Sequence, residues 1–292
     1  MAPTLAGPNV AGDCFPGASG CIVLPMSGSL SLHIAAFLAL LPAAFTPLRQ
    51  TPGRDGLFWG TLGVAIIGAL VVSIVPSLRQ GMWSTSFSSA LWVSIAATLL
   101  LFSELCFRHQ AAWRLTPVLM PYLIALGAMA TIWEGAEGAP LADHAPAFWT
   151  VLHIVIAVLT YGMLTLGAVA ALAGFLQERA LKARRPTSLT RRLPAAAEAD
   201  RLSWILLYTS EWVLGAGLLT GMAVEYLETG AILQPDHKSM LSSLAFLVIG
   251  GLILARSRWG VRGRVGARVV LLAYLLLTLA FPGVKFVSDV LL

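Results

Sequence analysis

Long apolar runs alternate with short polar breaks from about residue 30 to the end of the chain. A helix crossing a hydrocarbon core of about 30 Å needs about 20 mostly apolar residues. Eight runs are read as spans of this kind: Leu30–Leu48, Leu57–Pro76, Ser88–Cys106, Leu115–Ile132, Phe148–Leu176, Ser203–Glu225, Ser239–Ala255 and Ala267–Ser288. None alternates apolar and polar residues with period two, so the strands of a barrel are not expected. Helices remain, because they satisfy every backbone group within the segment. The breaks carry turn residues, as in Thr-Pro-Gly-Arg-Asp at 51–55 and Glu-Gly-Ala-Glu-Gly-Ala-Pro at 134–140. The pattern predicts an all-α, polytopic membrane helix bundle, with residues 28–292 forming one eight-helix domain.

Composition agrees. Hydrophobic residues make up 58% of the chain and charged residues only 11%, against about 25% charged in soluble domains. Three cysteines are too few for a disulfide scaffold. Residues 1–27 are rich in Gly, Pro and Ser and hold no Lys or Arg, so they lack the basic start of a signal peptide. Two readings stand for this segment: a flexible tail, or a start assigned too early, since Met26 directly precedes the first span. Cys14 and Cys21 within it could pair outside the cytoplasm.

The net charge of +5 suggests a nucleic-acid binder until it is sorted by loop. Sixteen of the 19 basic residues fall in the loops after spans 1, 3, 5 and 7, against four acidic ones, Asp55, Glu178, Glu198 and Asp200. The richest is the 5–6 loop, with Arg179, Lys182, Arg184, Arg185, Arg191, Arg192 and Arg201. Cytoplasmic loops carry the excess of Lys and Arg, so these four loops are expected in the cytoplasm and both termini outside. A multi-pass protein of a bacterial-type inner membrane is expected, touching anionic lipid and no nucleic acid.

Ionisable groups near the bilayer come next, because they are costly to keep there. With that orientation His33, His144, His153 and His237 share the outer face, and only His109 lies inside. Imidazole is a good ligand for iron, copper, nickel and zinc, and an apolar slot between helices with axial imidazoles suits haem. Trp133, Phe148, Trp149, Tyr226 and Phe286 lie at a depth to line it, although Trp and Tyr gather at membrane interfaces anyway. The bland alternative for each histidine is an interfacial polar group bonded to a headgroup or a neighbouring helix. Gly167, Gly174, Gly215, Gly217 and Gly221 are expected to let helices approach closely. Glu211, inside span 6, is either a proton relay or a protonated or paired group bonded to a neighbouring helix.

Several stretches resemble the cytochrome c assembly protein family, the CcsA/CcmC-like haem-handling membrane proteins, from about Arg79 onward. They are Leu-His-Ile-Val-Ile-Ala-Val-Leu-Thr-Tyr at 152–161, Leu-Gln-Glu-Arg-Ala-Leu-Lys at 176–182 and Asp-His-Lys-Ser-Met-Leu-Ser-Ser-Leu-Ala-Phe at 236–246. Trp-Gly-Val-Arg-Gly-Arg at 259–264 and Phe-Pro-Gly-Val-Lys-Phe-Val at 281–287 follow in order. The likeness is greatest to the smaller YpjD-like branch. It implies His153 and the His237–Lys238 pair as haem-ligand candidates, so that His153 and His237 are the expected axial ligands of a b-type haem. Lys238, together with His33, His144 and Trp149 from the outer-face reading, forms a second tier. The tryptophan-rich outer loop of the larger members is absent, since residues 226–236 contain no tryptophan.

The resulting expectation is a non-enzymatic membrane protein that binds or handles haem in c-type cytochrome assembly or haem homeostasis. Other assembly proteins or an apocytochrome are its expected partners, and its oligomeric state stays open. The alternatives are a small-molecule transporter, which would show a midplane site or repeats, and a cofactor-free assembly factor. No nucleophile–base pair stands out that would make it an ordinary enzyme.

Overall fold

The computed structural model describes residues 27–49, 53–80, 86–135, 147–230, 237–261 and 263–287. The apolar runs fold as α1 Ser27–Phe45, α2 Gly56–Gln80, α3 Phe87–Arg108, α4 Thr116–Ile132, α5 Ala147–Ala183, α6 Ala196–Thr229, α7 His237–Trp259 and α8 Arg264–Thr278. All eight are long and apolar enough to cross a membrane, and no strand occurs among the described residues. Of the N-terminal segment only Ser27 is described, so Cys14 and Cys21 lie outside the described residues.

Short connections make neighbouring helices antiparallel. The α1–α2, α3–α4, α5–α6 and α7–α8 connections therefore gather at one end of the bundle, here termed the basic end. Local chemistry sets the helix limits. Ser86 caps α3 by accepting a hydrogen bond from the Ser89 amide. At the end of α6, Gly230 takes the left-handed conformation with φ of 74°, which costs glycine nothing.

Two helices run past the apolar stretches that predict them. α5 has 37 residues and α6 has 34, about 55 and 50 Å at 1.5 Å per residue. Hydropathy marks where lipid stops, not where the helix does. Residues 177–183 (Gln-Glu-Arg-Ala-Leu-Lys-Ala) and 196–201 (Ala-Ala-Glu-Ala-Asp-Arg) are mostly strong helix formers, so the helices continue into water. The link between them folds back onto α5. Gln177 donates its side-chain amide to the carbonyls of Thr190 at 2.7 Å and Pro194 at 3.1 Å, and Leu193 is buried.

Apolar helices gain little from burial when the solvent is lipid, so small residues and close fit decide how they pack. A Cβ added at Gly68 would sit 2.8 Å from the Ala39 Cβ, so α1 and α2 touch almost backbone to backbone. Along the α5–α6 interface, Gly167 and Gly174 would each place a Cβ 3.5 Å from the Cβ of Leu206 and Ala199. Two cores result. The first packs α1–α4 against the basic-end halves of α5 and α6, around Trp92, Ile95, Leu99 and Leu123. The second joins α5, α6, α7 and α8 through Leu164, Leu207, Ile249 and Ala273.

Charges tie the basic end together. Arg256 of α7 forks onto Asp200 of α6 with contacts of 3.0 and 2.8 Å, and its guanidinium lies 4.4 Å from the Trp204 ring centre. Arg54 donates to the Cys106 carbonyl at 2.8 Å. At the opposite end, α8 gives way to a wider π turn at Leu279–Gly283 containing Pro282. Proline has no amide hydrogen to continue the ladder, and such turns often accompany functional sites.

Candidate functional site

The π turn borders an open-sided cavity of about 320 Å³ lined by α3, α5, α6, α7 and the end of α8. Its wall is mostly apolar, including Val93, Ala157, Leu214 and Phe281. Its lining residues with polar side chains include His153 and Tyr161, both on α5. The volume lies within the roughly 300–1,000 Å³ of small-ligand sites. The space touches the second core through Tyr161, Leu214 and Leu277.

His153 enters this space in one orientation. A Cβ at Gly221 of α6 would lie 3.0 Å from its Cε1, so the ring lies flush against a bare stretch of helix. Its Nδ1 is 3.2 Å from the Thr220 hydroxyl oxygen. That hydroxyl carries one hydrogen and stands 3.0 Å from the Ala216 carbonyl and 3.1 Å from the Gly217 carbonyl. Carbonyls only accept, so the hydroxyl hydrogen goes to them and its lone pair faces the ring. With the hydroxyl hydrogen on a carbonyl, the ring carries its own hydrogen on Nδ1 and Nε2 is the nitrogen with a lone pair; the roles at this contact follow the tautomer.

His33 has the opposite assignment. It is buried in the first core, where the Trp92 indole N–H donates to its Nδ1 at 3.0 Å. Ser88 lies 3.4 Å from the same nitrogen and donates its own hydrogen to the Ala130 carbonyl at 2.7 Å. Indole only donates, so Nδ1 of His33 is bare and its neutral ring carries hydrogen on Nε2. It could not offer Nε2 to a metal while keeping the Trp92 bond.

The remaining candidates are placed less closely. His237 is the exposed first residue of α7 and is not part of the cavity wall, although Ser242 of the same helix is. Trp149 sits at the start of α5, 38% exposed, its ring edge-on to Phe148. His144 and the Lys238 side chain lie outside the described residues. The aromatic slot differs from expectation: Trp133 and Phe286 pack edge to face at 5.3 Å, and both lie against the first core. The reason is the turn at Pro282, which swings Phe281 to the cavity and leaves Phe286 against Phe87. Tyr226 is exposed.

Sequence reading passed over a cluster that meets the cavity at Tyr161. The hydroxyls of Tyr122, Tyr161 and Tyr274, from α4, α5 and α8, hydrogen-bond to one another, with Tyr122 and Tyr161 at 2.9 Å and Tyr274 and Tyr161 at 3.3 Å. Thr165 donates to the Tyr161 carbonyl at 2.7 Å, and its oxygen is 3.2 Å from the Tyr274 hydroxyl. The available signal was depth: three tyrosines stand well inside spans, away from the interfaces that usually hold them. Glu211 rests against α7, where a Cβ at Gly250 would come 2.9 Å from its Oε1. Its Oε2 is buried without a hydrogen-bond partner among the described residues.

Among the described residues, no group of three or more His, Cys, Asp or Glu side chains could hold a metal ion. A macrocycle that brings its own four nitrogens needs only axial ligands. A mostly apolar cavity with a histidine on its wall fits that demand better than it fits a bare ion.

The sequence model of the family described as Cytochrome C assembly protein matches residues 82–292. A protein of Azospirillum brasilense, described as an uncharacterized 28.8 kDa protein in nifR3-like 5′ region, is 51% identical over 272 residues, covering 91% of this chain and all of the relative. No solved structure matches the chain.

Proposed function

From the premise that this chain belongs to the cytochrome c assembly protein family, we propose that it holds haem in the cavity beside His153 and handles it during cytochrome c assembly. The family supports membrane haem handling in cytochrome c maturation, and the eight apolar helices support a multi-pass membrane protein. One observation carries the finer reading: His153 borders an apolar cavity, with its Nδ1 3.2 Å from the Thr220 hydroxyl.

In this reading a bound haem would supply the iron, and each protein group has a separate task. His153 Nε2 would hold that iron. Thr220 and Gly221 hold the ring, and the apolar wall excludes water from the iron. His237 is the candidate second ligand: it begins α7, about 7–8 Å of helix rise before Ser242 on the cavity wall. The basic end faces the cytoplasm by the positive-inside rule, which puts His153 toward the outer leaflet of a bacterial inner membrane. Delivery to an apocytochrome outside the cytoplasm suits that side.

The test is a visible spectrum of the purified full-length protein titrated with hemin. A Soret band that disappears in His153→Ala and shifts in His237→Ala is the expected result. Absence of a Soret band in the wild-type chain, or the same band in both variants, defeats the reading.

A further inference from the structure

Thr220 does not itself line the cavity, yet its hydroxyl meets His153, which does. Its hydroxyl belongs to the backbone of its own helix, with Ala216 and Gly217 carbonyls at 3.0 and 3.1 Å. Both are acceptors, and the hydroxyl has one hydrogen to share between them. What it presents to His153 Nδ1 at 3.2 Å is therefore a lone pair. A neutral imidazole meeting a lone pair at Nδ1 must place its hydrogen there.

We infer that Thr220 is a positioning residue that holds His153 in the Nδ1–H tautomer and so makes Nε2 the nitrogen offered to a metal in the cavity. Gly221, next in sequence, completes the seat. A Cβ there would lie 3.0, 3.5 and 3.7 Å from Cε1, Nδ1 and Nε2, so any larger residue would press the ring out of its present position. Together the two residues fix tautomer and tilt before any ligand arrives. A ligand held in its bound form costs less to engage, and a hydrogen bond to the far nitrogen also raises the donor strength of the ligating one.

The role in metal binding rests on the haem reading above, whereas the tautomer does not. The two are separated by one set of full-length proteins in lipid nanodiscs. In the apo proteins, ¹⁵N-histidine NMR, with His153 assigned by its loss in His153→Ala, is expected to show the Nδ1–H tautomer in wild type and Thr220→Ser. Thr220→Val keeps the shape and removes the acceptor, and should give a mixture or the Nε2–H form. An Nε2–H signal in wild type, or an unchanged one in Thr220→Val, overturns the inference.

Hemin titration then reads the consequence. Loss of the outer partner of a ligating histidine typically costs about 10–100-fold in affinity, so Thr220→Val should weaken binding by that factor and Thr220→Ser should restore it. Equal affinity in all three overturns the positioning role even if the tautomer shifts. If wild type binds no hemin while the NMR behaves as stated, the haem reading fails and the assignment of Thr220 to the tautomer stands.

Discussion

His33 and His153 lie near the same end of the bundle, in spans, each with Nδ1 tied to a side chain from another helix. Their surroundings differ. His33 is locked in the first core between Trp92 and Ser88, while His153 borders an open-sided cavity that touches the second. The partner decides the outcome: an indole donor leaves Nε2 protonated, and a hydroxyl lone pair leaves it bare. Depth and face, the criteria available from sequence, do not separate the two. The chemistry at the far nitrogen does.

The sharpest way to break this contrast is to truncate each histidine in turn. His33→Ala opens a hole in a filled core and strips the buried Trp92 N–H of its acceptor, which should cost about 3 kcal/mol. His153→Ala removes a half-buried ring beside existing space and should cost about 1 kcal/mol. Denaturant unfolding in mixed micelles measures both. Equal losses would remove the distinction between a packing histidine and a cavity histidine.

A smaller effect is expected where the two cores meet. Tyr122 belongs to the first half and Tyr274 to α8, and their hydroxyls meet Tyr161 between them. Tyr274→Phe removes one member while keeping the ring in place, and should cost about 1–2 kcal/mol by the same assay. A neutral result would mean that the hydroxyl cluster does not couple the halves.

The smallest effect lies outside the lipid, in the α1–α2 connection. Hydrogen bonding from Arg49, and then from the Phe58 amide, holds the Asp55 carboxyl below the usual carboxylate range. A lowered folded-state pKa contributes stability above the unfolded value, and that contribution is lost as pH falls through the folded value. Asp55→Asn should therefore flatten a shallow acid-side slope in thermal stability below about pH 4 and leave neutral pH almost unchanged, as expected for an exposed pair. An unchanged slope would show that the contact does not persist in solution.

Much of the architecture was legible because lipid imposes one strong rule. Each of the eight apolar runs became a helix, and the arginine-rich loops mark one end of the bundle. The ends of α5 and α6 were misjudged for a stated reason: apolarity stops at the membrane surface while helix propensity does not. The candidate site was legible only in outline. His153 stood out by residue type and by its place in the family-like stretch at 152–161. The cavity was not visible, because it depends on Pro282 turning the end of α8 and on glycines that bring α5 and α6 together. The tyrosine cluster was missed because its members lie 39 and 113 residues apart along the chain.

The sequence by itself determined that this chain is a membrane bundle of eight helices, which end of it is basic and which histidines lie away from that end. Those properties follow from single residues answering to a single solvent, and local composition records them. Only the tertiary structure decided which histidine has a nitrogen to spare. That choice depends on whether a donor or an acceptor, brought in from another helix, meets Nδ1. Trp92 lies 59 residues from His33, and Thr220 lies 67 from His153. Nothing local to either histidine encodes its partner; packing supplies it.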